Sequence, residues 1–390
     1  MSTTPTPAIN AAIDRALDEK RIVGAVVLIA RDGEVVVRRA AGLADRERNI
    51  AMREDAVFRL ASLTKPIVTA AALRMVELGK FSLADPVTRF LPAFRPALVD
   101  GEVPQITLRH LLTHTAGLAY GFFQPADGSY HRAGVSDGLG EPGVTMEDEL
   151  ARITKAGLAY RPGEKWAYSV ALDVLGAVMQ AVEGEDLDAV VRKYVCAPLK
   201  LQSMGFDLQA SQREQLVTAY ADGKPAPVLI PEQGMRVRFP EGIPAYASLA
   251  GVSLSPARLF DRASFRSGGG GMVGTAADML SFIEAIRTGG GPILSADGAR
   301  AMMTPQIGDL PINRGPGFSF GYGGSLVTDP KAGLTPQSAG TFSWGGVWGH
   351  SWFMDPEKKL SVVALSNTAL EGMMGKYVVD LRDAVYADLG

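Results

Sequence analysis

The sequence predicts an α/β (α+β) protein: one antiparallel sheet built from both termini and flanked by helices, with a mainly helical lobe inserted between them. Three observations predict it. Residues 25–30 and 34–40 are apolar, β-branched runs joined by Arg31-Asp32-Gly33, a hairpin turn signal. Residues 318–328, 340–344, 348–354 and 360–366 carry strand patterns near the opposite end. Between these two sets the signals are mostly helical.

In chain order, residues 8–20 read as a helix ahead of the first strand. A second helix opens near Ser62 and stops at Gly79, a good residue just past a helix end. Pro66 must lie in its first turn, because a proline further in would clash with the carbonyl four residues back. Ser62 is thereby placed at the helix N-terminus, where free N–H groups favour developing negative charge. Thr107 to Leu118 reads as one capped unit starting at Thr107 and ending at Gly117. Residues 119–145 read as a long polar loop, and 147–156 and 170–183 as helices. Residues 217–268 hold several prolines and short apolar runs without a helical period, the pattern of an irregular surface excursion. Thr275-Ala276-Ala277-Asp278 caps a helix reaching about Arg287, Asp355-Pro356 marks a turn, and residues 370–389 form a last helix. The division expected is a discontinuous sheet domain, 1–75 and 270–390, and an inserted helical domain, 76–269, that includes the excursion.

Composition narrows the function classes. A chain of 390 residues, 47% hydrophobic and 21% charged, is globular and long enough for two lobes. Its net charge of −3 offers no basic excess for nucleic acid. No apolar run approaches a membrane span, and Met1-Ser2-Thr3-Thr4-Pro5 lacks the charged head and apolar core of a signal peptide. A single cysteine, Cys196, excludes an intrachain disulfide and fits a reducing compartment; a cytoplasmic location is expected. No Gly-x-Ser-x-Gly elbow, phosphate loop or Cys/His cluster occurs, so no cofactor and no metal are predicted. His110 and His114 are four apart, but no Glu follows His110, and structural roles are expected for both.

The chemistry-bearing segments are three. Ser62-Leu63-Thr64-Lys65 sets an amine one helical turn from a hydroxyl, and a neutral amine there can take the hydroxyl proton. Alone the spacing is weak, since about one Ser-x-x-Lys is expected by chance in a chain this long. Trp166-Ala167-Tyr168-Ser169 ends a loop before a helix, where a tyrosine can aim its hydroxyl into a cleft. Phe342 to Trp352 is an aromatic strand interrupted by Gly345-Gly346, a pair that lets a substrate or another chain lie against the backbone. All four tryptophans fall in the second and third segments, which points to a pocket wall.

In this order and spacing, Ser62-x-x-Lys65, Trp166-x-Tyr168-Ser169 and Trp344-Gly345-Gly346 resemble the serine β-lactamase/penicillin-binding-protein superfamily. Thr107 to Leu118 and Gly268 to Thr275 extend the likeness, which spans roughly residues 20–370. It is greatest to family VIII carboxylesterases, which have a class C β-lactamase fold. Two departures separate the chain from the β-lactamases: Val170 stands where their second motif has asparagine, and Trp344 where their third has lysine. An anionic β-lactam thereby loses a hydrogen-bond partner and a charge partner.

The resemblance implies Ser62 as nucleophile, Lys65 and Tyr168 as the base pair, and the backbone N–H groups of Ser62 and Val347 as oxyanion donors. It implies a short-chain acyl ester as substrate, extending to the acetyl side group of cephalosporins. Trp344, Gly345, Gly346, Trp348 and His350 are the expected substrate contacts, although a structural role for His350 is the competing reading. Which of Lys65 and Tyr168 holds the proton stays open, because the two titrate together. The other activities open to the same serine are β-lactamase or D-Ala-D-Ala peptidase, amide hydrolase and acyltransferase. A non-catalytic binding module is the alternative from another class. A small-molecule ester is the only partner expected, and the sequence does not set an oligomeric state.

Overall fold

The computed structural model describes residues 5–240 and 246–390. Its main sheet has eight antiparallel strands. From one edge their order is 318–320, 325–327, 342–346, 350–355, 360–366, 24–31, 34–45 and 50–51. The two ends of the chain meet at the sheet centre, where Val27 pairs with Ala364 and Leu28 with Val363. The hairpin turn forms as expected: Asp32 and Gly33 have φ of 53° and 87°, the two positive values of a tight primed turn.

Alternation along the central strand sorts its side chains between two cores. Ala25, Val27 and Ile29 pack with Ile9 and Ile13 of the Pro7–Asp18 helix and with Leu381 and Val385 of the Lys376–Leu389 helix. Val26, Leu28 and Ala30 join the larger cluster on the other face, with Ile67 and Ala70 of the Thr64–Glu77 helix. That cluster continues without a break into the helical region, through Leu111, Leu175 and Val190. The Thr64–Glu77 helix is buried on nearly every side, so it runs through the centre of the molecule. Pro66 is in its first turn, and a 3-10 turn, Ala61–Leu63, leads into it.

Several elements differ from the sequence expectation. Helix in the Thr107 unit is confined to Leu108–Leu112, capped at Thr107 by a reciprocal bond with His110. Beyond it the Thr113 hydroxyl bonds the Arg109 carbonyl and the Thr115 hydroxyl, and His114 adopts φ of 55°. Side-chain bonds of this kind compete with helix continuation. The expected 318–328 strand folds back at Gly321–Gly324 into two short strands. The last helix is split at Gly375 into Glu371–Met374 and Lys376–Leu389. A helix at Ala296–Met302, capped by Ser295, was not anticipated.

Residues 217–268 are not a surface excursion alone. Met235–Val237 pairs with Val252–Leu254, and Tyr220–Ala221 runs parallel to Thr368–Ala369. Phe239 stacks on Phe123 at 5.7 Å and 9°, and Tyr246 packs against Phe239 at 5.0 Å. The part at 241–245 lies outside the described residues.

The sheet lies close against the turn that leads into the central helix. A Cβ on Gly346 would stand 2.5 Å from the Leu60 carbonyl oxygen and 3.0 Å from Leu63 Cδ1. Only a glycine lets strand 342–346 lie against the turn that carries Ser62. Gly346→Ala is expected to push that turn aside, lowering kcat/KM for any Ser62-dependent reaction by about a hundredfold, the usual effect of an ångström-scale displacement. Steady-state kinetics, with circular dichroism to verify folding, checks it.

Candidate active site

Ser62 sits in the 3-10 turn and is partly accessible; its hydroxyl lies between two side chains from different parts of the fold. Lys65 Nζ is 3.2 Å from Ser62 Oγ, and Tyr168 donates its O–H to Ser62 Oγ at 2.6 Å. Trp344 Nε1–H in turn donates to Tyr168 Oη at 3.2 Å. Indole, phenol, hydroxyl and amine thus form one chain.

Lys65 is fully buried. Its Nζ also reaches Tyr120 Oη at 2.9 Å and the Gly269 carbonyl at 2.6 Å, and among the described residues no carboxylate touches it. Burial pushes its pKa down to about 7, against the weaker opposing pull of Asp173 and Asp137. A neutral amine has two N–H bonds and one lone pair. Two donated bonds match Tyr120 and Gly269, which leaves the lone pair for the serine proton. Burial shifts Tyr168 the other way, well above the usual tyrosine range, although its bonds to Ser62 and Trp344 oppose the shift. The tyrosine therefore keeps its proton where the lysine loses one.

Val347 lines the same cleft as Ser62. Among the described residues neither backbone N–H is paired with a protein acceptor. Two free N–H groups beside a nucleophile suit a developing oxyanion. The cleft has a volume of about 360 Å³ and is walled near Ser62 by Phe122, Phe123, Phe239, Tyr246 and Trp344.

Of the expected substrate contacts, Trp344 and Gly345 line this cleft. Gly346, Trp348 and His350 do not. Gly346 faces the Leu60–Leu63 turn. Trp348 is buried, lies 5.8 Å from the Arg59 guanidinium and borders a separate cavity of about 50 Å³. His350 is 1% exposed, with Nε2 2.7 Å from the Arg59 carbonyl and its ring edge-on to Phe58, the contacts of a packed interior side chain. His114 is likewise buried, its Nδ1 3.1 Å from Ser169 Oγ, and it packs against Trp166, Tyr168 and Phe320. It carries Tyr168 from below. Among the described residues no three His, Cys, Asp or Glu side chains are grouped to hold a metal ion. Cys196 is buried, and its thiol is pushed up to about 12.

Sequence reasoning missed the residues behind the lysine. Tyr120 is buried and stacks on Phe122 at 4.5 Å. Asp173 accepts from Ser267 Oγ at 2.6 Å and from Gly269 N–H at 3.0 Å, which orients the Gly269 carbonyl toward Lys65. Its second oxygen is buried without a partner. Asp137 and Glu149 lie in the same buried region and are raised by burial to about 7 and about 8. An aspartate inside an apolar helix, Ala171 to Glu183, is the signal that would have found Asp173.

The lysine sets a pH dependence. Its folded-state pKa is below the free value, so the neutral amine is present above about pH 7 and is lost as pH falls through that point. A Ser62-dependent reaction is expected to show an acid limb near pH 7 in kcat/KM. Asp173→Asn keeps the acceptor oxygen but removes a charge that holds a proton on Lys65. That limb should move to lower pH, read from the pH–rate profile; an unmoved limb excludes an electrostatic role for Asp173.

The chain is 48% identical over 381 residues to "Esterase EstB" of Burkholderia gladioli, covering 97% of this chain and 94% of that protein. It is 30% identical over 383 residues to "Protein Rv1367c" of Mycobacterium tuberculosis, covering 91% and 88%. Among solved structures it matches "EstCE1, a hydrolase with promiscuous acyltransferase activity" with a TM-score of 0.92 and 46% identity over 97% of each chain. The unliganded simvastatin synthase LovD of Aspergillus terreus matches with a TM-score of 0.74 at 21% identity over the whole of both chains, which shows a shared fold. The family profile named Beta-lactamase matches residues 9–386, and the chain belongs to that family.

Proposed function

We propose that this chain is a serine carboxylic-ester hydrolase that cleaves short-chain acyl esters through an acyl-enzyme on Ser62, using no cofactor. One observation carries the reading: the Ser62 hydroxyl is held between a buried amine with lowered pKa and a phenol that keeps its proton.

Lys65 takes the Ser62 proton as Oγ forms a bond to the ester carbonyl carbon. The carbonyl oxygen gains the charge, met by the N–H groups of Ser62 and Val347. Losing one such donor typically costs about 2.7–4 kcal/mol of transition-state stabilisation. Collapse breaks the bond to the leaving oxygen. The proton held by Lys65 returns to that oxygen by way of the Tyr168 hydroxyl, so the alcohol leaves neutral. Water then repeats the sequence on the acyl-enzyme, and the serine proton is restored.

An aromatic cleft of about 360 Å³ suits a small apolar acyl group. Trp344 spends its N–H on Tyr168 and supplies no cation, and Val170 supplies no amide; both support an ester over a β-lactam. The acetyl ester of a cephalosporin side chain falls within this class. Acyl transfer is the second reading, favoured by the same aromatic walls, which can seat an organic alcohol in preference to water. EstB is called an esterase, and EstCE1 a hydrolase with acyltransferase activity, in keeping with both. No helix among the described residues is long and apolar enough to cross a membrane. With a single free cysteine this supports a cytoplasmic enzyme acting on small molecules, without nucleic-acid or membrane partners. The chain divides into a sheet domain, 1–75 and 270–390, and a helical domain, 76–269, that close on the cleft.

Hydrolysis of p-nitrophenyl butyrate beside nitrocefin tests the assignment. Wild type is expected to favour the butyrate, with Ser62→Ala lowering kcat at least about a thousandfold. Tyr168→Phe removes a proton carrier and should lower kcat about a hundredfold. Ester turnover surviving Ser62→Ala rejects the mechanism. Faster opening of nitrocefin transfers the assignment to β-lactamase, and no turnover of either compound favours a binding module.

A further inference from the structure

The cleft does not end at the nucleophile. Strand 325–327 pairs only with Phe342 and Ser343, so the edge at Trp344–Gly346 is left unpaired on that side. The cleft passes this edge at Gly345 and continues along the opposite face of the sheet. Ser343, Phe353 and Val362 lie directly across from one another in three neighbouring strands, so they share that face and floor the continuation. Met373, Met374 and Val378 wall it from the C-terminal helices. The passage is an apolar trough.

Arg314, accessible, lines this continuation beside Asn313 and Gln337. Its Nη1 donates to Ser325 Oγ at 2.8 Å and Ser343 Oγ at 2.7 Å, and the guanidinium lies 4.8 Å from the Phe318 ring centroid. These contacts fix its position and leave Nε and Nη2 without an acceptor among the described residues. No Asp or Glu pairs with it there either. The charge that acts on it is another cation, Arg382, whose own Nε is taken by Asp383 at 2.8 Å. Arg314 therefore carries a charge that no carboxylate among the described residues compensates. A guanidinium with two donors open to an apolar trough is built for a carboxylate.

We infer that Arg314 closes a second subsite, which binds a carboxylate at the remote end of an amphipathic ester whose apolar spacer lies in the trough. This rests on the esterase reading and narrows its substrate class.

Two matched pairs of esters test it. The first is p-nitrophenyl hydrogen suberate against p-nitrophenyl octanoate, with the charge on the acyl side. The second is 6-acetoxyhexanoate against hexyl acetate, with the charge on the alcohol side. The readout is the ratio of kcat/KM, charged over neutral. Arg314→Gln retains N–H donors for the two serines and removes the charge. The ratio is expected to fall tenfold or more in one pair, with Arg314→Lys recovering part of it. A smaller fall in both pairs overturns the proposal. Binding of suberate to Ser62→Ala protein, followed by calorimetry with and without Arg314→Gln, gives the same comparison without turnover. Absent catalysis with a tenfold loss of binding rejects the esterase reading and keeps the subsite; catalysis with an unchanged ratio rejects the subsite alone.

Discussion

A lysine kept from water beside a serine is the constraint on which the rest depends. An exposed lysine is an ammonium at neutral pH and can take no proton. Lys65 stands in the first turn of a helix that is buried nearly all round, and its nearest polar neighbours are a phenol and a carbonyl rather than a carboxylate. A carboxylate in contact would have held the proton in place. Asp173 stands one step back, bonded to the N–H of the very residue whose carbonyl faces the lysine. It anchors the Gly269 backbone, whose carbonyl holds the lysine, while keeping its own charge at a distance.

The same helix explains the placement of the other partners. Ser62 lies in the turn just before it, against the end of strand 342–346, and Gly346 permits that contact. The strand carries Trp344 to the Tyr168 hydroxyl, and Val347 just beyond it lines the cleft. Tyr168 is braced by His114 at 5.0 Å and Trp166 at 6.4 Å. Three segments far apart in sequence meet here, two from a helix start and a strand and the third, the loop carrying Tyr168, held by the aromatic rings packed against it.

The sheet built from both ends was legible because strand alternation and the Asp32-Gly33 turn are local signals. Ser62, Lys65 and Tyr168 were legible as a set because their motifs follow in a recognisable order. Tyr120, Gly269 and Asp173 were not, since each acts through a contact that only the assembled fold creates. Trp348 and His350, expected as substrate contacts with a structural role as the competing reading for His350, lie outside the cleft for a related reason. The chain turns at Val347–Gly349, where Gly349 has φ of 115°, and this carries both residues away from the cleft. The Thr107 unit was read as too long because helical periodicity does not register the Thr113 and Thr115 hydroxyls that end it. The role of residues 217–268 as a wall was hidden for want of any period, although Phe239 and Tyr246 were in plain view.

The most direct test of the neutral lysine is a titration of its side-chain nitrogen by NMR, with 15N-labelled lysine and the Lys65 signal assigned by its absence in Lys65→Arg protein. A midpoint near pH 7, moving upward when the protein is unfolded, is the result this account predicts. A midpoint near pH 10 in the folded protein would mean that Lys65 stays an ammonium beside Ser62, and the proposed proton transfer could not occur.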